Sequence, residues 1–245
     1  MIINGKYYSN NVTIINGQVI EDSSCADAKN IDELKKESVK GIKRIYINTK
    51  NVAVNVLPCD SKEITAHLHG SIITNGEIKF SVERKKDEIY ISVIEVLGSA
   101  NMSIFYNTIV KQSLELVLDV MIPSITFEYL RLQSLNGSLN VGELVCANKI
   151  SINNINGDSV SNGNCKQLEI GSKNGGIKIV VDAKKDINLD IFNTNGKIEV
   201  RLSNIAVFNA ILDSKNGNVK NKAQLDGKYK VTGRITSQNG NIKIK

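Results

Sequence analysis

The sequence predicts an all-β chain dominated by a single-stranded β-solenoid, a β-helix-like stack of coils about 20 residues long behind a β-rich N-terminal cap. Three observations predict it. An Asn-Gly pair recurs six times, at Asn136-Gly137, Asn156-Gly157, Asn174-Gly175, Asn195-Gly196, Asn216-Gly217 and Asn239-Gly240, with steps of 20, 18, 21, 21 and 23 residues. Around each pair the apolar residues alternate with period 2, the mark of a strand with one buried face. Residues standing equally far from successive pairs are alike, which is the column pattern of stacked coils.

Residues 1–40 are expected to form an N-terminal hairpin followed by a linker or short helix. VTIINGQVI, with Asn16-Gly17 at its centre, carries the turn residues of a tight hairpin, and Asn4-Gly5 precedes it. The next stretch, EDSSCADAKNIDELKKESVK, is charged, with Ile31, Leu34 and Val39 as thin apolar punctuation. Asn30 with Glu33 three residues on fits a capping-box variant. Residues 41–129 read as an irregular β cap and the start of the stack. IKRIYINT, VAVNVLP, KEITAHLHG, EIKFSVER, EIYISVIEV and LELVLDVMIP are each β-branched or alternating runs separated by turns.

Residues 130–245 are expected to form the six-repeat solenoid. Four before each Asn stands an aliphatic residue: Leu132, Ile152, Ile170, Ile191, Leu212 and Ile235. Two further back the set weakens along the chain, from Leu130, Ile150, Leu168 and Leu189 to Ala210 and Gly233. Two before each Asn comes a small polar residue, Ser134, Asn154, Ser172, Asn193, Ser214 or Ser237, which alternation points inward near a corner. A stacked column of hydrogen-bonding side chains would satisfy these groups. Beyond the pairs the alternation resumes, broken at Ser159, Ser161 and Asn221. Asn and Gly tolerate positive φ, so each pair suits a tight turn. Such turns also fit an antiparallel hairpin array; the fixed period and the columns favour the solenoid.

A length of 245 residues allows one large or two modest domains. With no Trp and 5% aromatic residues, the core is expected to be Ile, Val and Leu. No apolar run of membrane-spanning length occurs, and MIINGKYYSN lacks a basic region followed by an apolar one. The chain as written therefore reads as cytoplasmic, and as a surface protein only where a leader has been removed. Cys25, Cys59, Cys146 and Cys165 are too few and scattered for a disulfide framework. Cys146 and Cys165, ten and nine residues beyond their Asn, read as small core residues on neighbouring coils.

The sequence offers no catalytic, cofactor or metal set. His67 and His69 lie at i and i+2 on one strand face, without a third ligand at a telling spacing. The turns carry Asp158 alone and a single Gly175-Gly176, which argues against a calcium-binding solenoid. Asp186, Asp190 and Glu199 are scattered rather than columnar, which argues against a polysaccharide-cutting β-helix enzyme. Charge is unevenly placed. Lys215, Lys220, Lys222, Lys228, Lys230, Arg234, Lys243 and Lys245 stand against Asp226, so residues 214–245 carry +7 of a formal +6 and the rest sums to −1. These residues are candidate polyanion contacts. Protection of the exposed edge of a last coil against stacking is the favoured reading of the same lysines. Tyr229 is the one aromatic in the window, which argues against nucleic acid.

The run LELVLDVMIPSITFEYLRLQSLNGSLNV, with Pro123 and a Ser-x-Asn-Gly-x-Leu turn, resembles the signature of a bacterial domain-of-unknown-function family of putative adhesins. IKRIYINTKNVAVNVLPCDSKEITAHLHG resembles that family's opening, and the later turns its repeating unit, so the resemblance covers about Gly41 to Lys245. It implies a β-solenoid acting as a non-enzymatic binding or scaffold module, whose polar ladder meets an unknown glycan, anionic polymer or protein. A self-assembling structural solenoid like the bactofilins and a polysaccharide-active β-helix enzyme are the alternatives. The oligomeric state is not legible.

Overall fold

The computed structural model describes residues 29–72, 77–96, 116–182, 184–202, 206–223 and 227–245, together with four short N-terminal strands. Of these, β1 (Ile2–Ile3) pairs antiparallel with β2 (Lys6–Tyr7), and β3 (Val12–Ile15) with β4 (Gln18–Glu21), Ile15 facing Gln18. Asn4-Gly5, Asn16-Gly17, Cys25 and Asp226 lie outside the described residues.

β5 (Lys29–Ser38) corrects an expectation, being a ten-residue strand where a linker or short helix was anticipated. It pairs antiparallel with β8 along its whole length, from Lys29 opposite Ile72 to Ser38 opposite Glu63. Ladder bonds to a preformed sheet outweigh the weak helical signal, and Asn30 caps no helix; its side chain accepts a hydrogen bond from Ser71 Oγ.

The remaining strands are β6 (Arg44–Asn51), β7 (Ala53–Cys59), β8 (Glu63–Ile72), β9 (Glu77–Lys85), β10 (Glu88–Val96) and β11 (Val117–Pro123), followed by the repeats. The repeats comprise β12 (Thr126–Asn136), β13 (Leu139–Val141), β14 (Cys146–Asn156), β15 (Ser159–Ser161), β16 (Gln167–Asn174) and β17 (Ile177–Val181). β18 (Ile187–Asn195), β19 (Ile198–Leu202), β20 (Ala206–Ser214), β21 (Val219–Asn221), β22 (Tyr229–Asn239) and β23 (Ile242–Ile244) complete them. Each coil contributes its strand before the Asn to sheet I and its strand after the Gly to sheet II. Sheet I has the order β9-β10-β6-β12-β14-β16-β18-β22-β20, and sheet II the order β5-β8-β11-β7-β13-β15-β17-β19-β23-β21. From β10 to β20 and from β11 to β21 every neighbour is parallel, as a solenoid requires.

The layers do not stack in chain order at either end. The coil β6-β7 lies between β10/β11 and β12/β13. At the other end the sixth repeat, β22-β23, is inserted between the fourth, β18-β19, and the fifth, β20-β21. Thus Ile152 lies over Leu132, Ile170 over Ile152 and Ile191 over Ile170 as expected, whereas Leu212 lies over Ile235. The reason is in the inward residues. β22-β23 brings Val231, Ile235, Ile242 and Ile244, all at most 1% exposed, and so gains from a neighbour on each side. The fifth repeat brings Asn221 to an inward position. Between two layers that amide would be costly to desolvate; at the end it is exposed and accepts a hydrogen bond from Ala223 N.

The core is a double column of Ile, Val and Leu between the sheets. The N-terminal end is closed where β5 meets β9: Lys35 lies over the Phe80 ring, and Arg84 donates to the Ser38 and Lys40 carbonyls. The C-terminal end is open. Val219 is 42% exposed where its counterparts Leu139, Ile177, Ile198 and Ile242 are at most 1% exposed. The free edge is therefore the fifth repeat, with Lys215, Lys220 and Lys222, rather than the last coil of the chain. Lysines on a bare strand edge discourage edge-to-edge pairing.

The turns are held by an asparagine ladder. Each side-chain amide donates to the carbonyl oxygen of the next: Asn136 to Asn51 at 2.6 Å, Asn156 to Asn136 at 2.7 Å, Asn174 to Asn156 at 2.9 Å and Asn195 to Asn174 at 2.8 Å. Asn239 then bonds Asn195 at 2.9 Å, and Asn216 bonds Asn239 at 2.8 Å, in the inserted order. Asn51 was not among the expected turn residues because Val52 follows it. The inward polar residues behave differently from expectation: Ser134, Asn154, Asn193 and Ser214 bond turn backbone rather than one another, and the buried Ser172 and Ser237 hydroxyls have no partner among the described residues. Asn154 Nδ2 donates to Gly137 O at 2.8 Å, Asn193 Nδ2 to Gly175 O at 2.8 Å and Ser214 Oγ to Gly240 O at 2.7 Å. Side chains this short reach the carbonyls that the corner turns inward before they reach each other. Asn174→Ala removes one donor and one acceptor mid-ladder and is expected to cost about 1–3 kcal/mol, against about 0.5–1.5 kcal/mol for the terminal Asn216→Ala. Thermal unfolding of the two variants would check the ratio.

Candidate functional site

Alternation places every odd position before the turn Asn on the outer face of sheet I. The residues three before it form one row in register: Asn48, Gln133, Asn153, Gly171, Phe192 and Thr236. Asn48, Gln133 and Asn153 are exposed. Phe192 is 49% exposed, so an aromatic ring stands in water beside three amides. Gly171 separates the two. A Cβ there would lie 3.0 Å from Asn153 Oδ1, so the missing side chain keeps the floor open. The result is a groove of about 570 Å³, edged by Ile94, Leu135 and Ile155 and flanked by Lys50 and Lys173. Gln133 Oε1 accepts from Arg131, whereas the Asn48 and Asn153 side chains have no partner among the described residues.

Farther from the turns, Tyr46 stacks on Tyr90 at 4.9 Å with 11° between planes, and Tyr129 meets Tyr46 edge-on at 5.8 Å. Arg44, paired with Asp87 at 2.8 Å and Glu88 at 3.0 Å, anchors that cluster. The groove is not among the features expected from the sequence. The available signal was Phe192, Leu135 and Ile155 standing in the outward phase of otherwise alternating strands.

On the outer face of sheet II, His67 and His69 share one side of β8, their rings 4.7 Å apart. Each turns Nε2 to a different strand, His67 to Asp32 at 2.6 Å and His69 to Asp119 at 3.0 Å, and Asn55 Nδ2 donates to Asp119 at 2.9 Å. Among the described residues no group of three or more His, Cys, Asp or Glu is arranged to hold a metal ion. Cys59, Cys146 and Cys165 are free thiols. Burial pushes the Cys165 thiol up to about 12, which suits a core residue, while Cys146 is only half-buried.

The eight basic residues of the C-terminal window do not share a face. Lys230 and Arg234 belong to the outer side of sheet I, Lys215 stands in the turn just after β20, and Lys228 sits 5.3 Å over the Tyr229 ring. Lys220, Lys222, Lys243 and Lys245 lie on the sheet II side, where the register adds Lys178, Lys197 and Arg201 from earlier coils. In their midst Glu199 accepts from Lys197 at 2.8 Å, Arg201 at 2.9 Å and Lys245 at 2.7 Å. These cations, Lys197 first, hold its carboxyl well below the ordinary carboxylate range. The stability this gives is fully present above the unfolded value of about 4.3 and is lost as pH falls toward the depressed folded one. Glu199→Gln is therefore expected to flatten the acid limb of the stability curve, read as urea midpoints between pH 7 and pH 3.

Register-matched parallel coils, an amide ladder at the corners and two flat, side-chain-patterned faces define a β-solenoid. A family model described as Toastrack DUF4097 matches residues 117–245, and the chain belongs to that family. Among solved structures it is similar to a putative cell adhesion protein from Clostridium sporogenes ATCC 15579, at 14% identity and a TM-score of 0.56, covering 89% of this chain and 99% of that one. It is also similar to a putative lipid binding protein from Parabacteroides distasonis ATCC 8503, at 12% identity and a TM-score of 0.35, covering 87% and 97%. A putative adhesin from Bacteroides fragilis NCTC 9343 matches at 12% identity and a TM-score of 0.33, covering 88% and 97%. No curated protein matches the chain. Among the described residues no helix is long and apolar enough to cross a membrane.

Proposed function

We propose that the chain is a non-enzymatic binding module whose groove on sheet I holds a neutral glycan chain along the stack axis. The observation that carries this is the row Asn48, Gln133 and Asn153 leading to the exposed Phe192 ring. Amides repeating at the strand spacing of about 4.8 Å can bond successive hydroxyl groups. The ring offers an apolar platform of the kind binding sites combine with a few placed polar groups. The likeness in fold to a cell adhesion protein is in keeping with such a role.

An enzymatic reading is not favoured, because the scattered carboxylates do not converge. Asp190 is on the outer face of sheet I, Glu199 is on the outer face of sheet II among three cations, and Asp186 accepts from Lys230 N. Filament assembly is opposed by one end closed with antiparallel strands and the other edged with lysine.

Titration of the full chain with a panel of neutral oligosaccharides tests the proposal. Phe192→Ala and the double variant Asn48→Ala/Asn153→Ala are each expected to weaken binding about tenfold, or ~1.4 kcal/mol, at unchanged melting temperature. Binding that neither variant alters, or no binding across the panel, overturns it.

A further inference from the structure

The outer face of sheet II carries a strip of cations that the stacking order assembles. Across β17, β19, β23 and β21 the register aligns Lys178, Glu199, Lys243 and Lys220 in one row. Beside it, backbone bonds align Arg201 with Lys245 and Lys245 with Lys222. Glu199 engages Lys197, Arg201 and Lys245, leaving Lys178, Lys220, Lys222 and Lys243 without an ion pair among the described residues. The positive potential is strong enough that Lys245 above all, and then burial and Lys197, lower the Lys243 pKa. At the inner end of the strip, Gly176 leaves a hollow of about 300 Å³ bordered by Asp158, Lys178, Lys197 and Arg201.

We infer that this strip binds a linear acidic polysaccharide extended along the stack axis, its anionic groups meeting cations that recur layer by layer. A row of charges spaced at the strand separation suits a polymer with repeated anions better than a single compact one. No aromatic side chain lies among the aligned positions, so nucleic-acid bases have no platform for stacking. Val160 and Val180, which end the two rows beside Lys178 and Arg201, are half-buried and give a lipid surface nothing to insert around. Glu199 draws Lys197, Arg201 and Lys245 onto one carboxylate and subtracts one charge from the strip.

The site is separate from the groove on sheet I, so the two readings fail independently. Binding of the full chain to polygalacturonate is measured at low and high salt, beside neutral dextran, single-stranded DNA and phosphatidylglycerol vesicles. Binding to polygalacturonate is expected to fall steeply with salt and to exceed that to the other three. Lys178→Ala/Lys243→Ala is expected to weaken it about tenfold, whereas Glu199→Gln tightens it several-fold by adding net charge and freeing three cations. Phe192→Ala leaves it unchanged, and so does the control Lys36→Ala/Lys62→Ala at the far end. Salt-insensitive binding, equal loss in the far-end control, weaker binding by Glu199→Gln in a folded protein, or preference for DNA or vesicles each overturns the inference.

Discussion

Ile235→Ala is expected to cost about 2–5 kcal/mol, as a fully buried large-to-small change does, and Leu212→Ala less than about 1.5 kcal/mol. Both residues stand four before their turn Asn and both line the same column. Ile235 is 0% exposed, sandwiched between Ile191 and Leu212, while Leu212 has one covered side and is only half-buried. Its cavity opens to water and can relax. Chain order would give the opposite ranking, since the sixth repeat would then be the fraying end. Urea unfolding midpoints at constant slope decide the matter: a larger loss for Leu212→Ala would mean that the fifth repeat is interior and the inserted layer wrong. The same arrangement makes the C-terminal strands a wedge. Removal of residues 228–245 is expected to release the fifth repeat along with the sixth, because β20 pairs with β22 and β21 with β23.

The adjacent glycines 175 and 176 should respond very differently to alanine. Gly175 has φ +153, and a Cβ on it would lie 2.1 Å from Gly157 O, a backbone atom of the layer below. That carbonyl cannot move without displacing its own turn, so Gly175→Ala is expected to cost about 2–4 kcal/mol from strain and overpacking together. A Cβ on Gly176 would first meet Asp158 Oδ1 at 3.3 Å, the end of a side chain on the exposed corner rather than backbone. Gly176→Ala is therefore expected to stay within about 0.5 kcal/mol of the parent, the range of ordinary surface changes. Melting temperatures of the two variants suffice, and equal losses would remove the argument that corners touch through backbone. The same contact recurs up the stack, where a Cβ on Gly240 would lie 1.9 Å from Gly196 O and one on Gly217 2.2 Å from Gly240 O. Glycine is thus required where each corner rests on the next.

Much of the coil was legible. The aliphatic residues four before each Asn point inward, the small polar residues near the corners are buried except Ser214 of the edge coil, which is half-buried, and Ser159 and Ser161, which broke the apolar pattern, are nonetheless inside at 0% and 1% exposure. These are consequences of period-2 alternation, which operates within a few residues. The candidate sites were less legible. Phe192 could have been picked out by its outward phase, but its placement across Gly171 from Asn153 depends on register between coils. The basic window was visible as composition, yet four of its residues join Lys178, Lys197 and Arg201 from earlier coils, Lys178 standing 67 residues before Lys245, while the others face elsewhere.

By itself the sequence determined that this chain turns at each of the six repeated Asn-Gly pairs from Asn136 on, which side chains face in, and that its core is aliphatic, because turn chemistry and strand alternation are local. Only the tertiary structure decided that β5 is a strand, that Asn51 begins the ladder, and that the sixth repeat lies beneath the fifth. Those outcomes compare whole layers. A coil with Ile235, Ile242 and Ile244 gains more from two neighbours than one with Asn221 and Val219, and spacing along the chain carries no record of that difference.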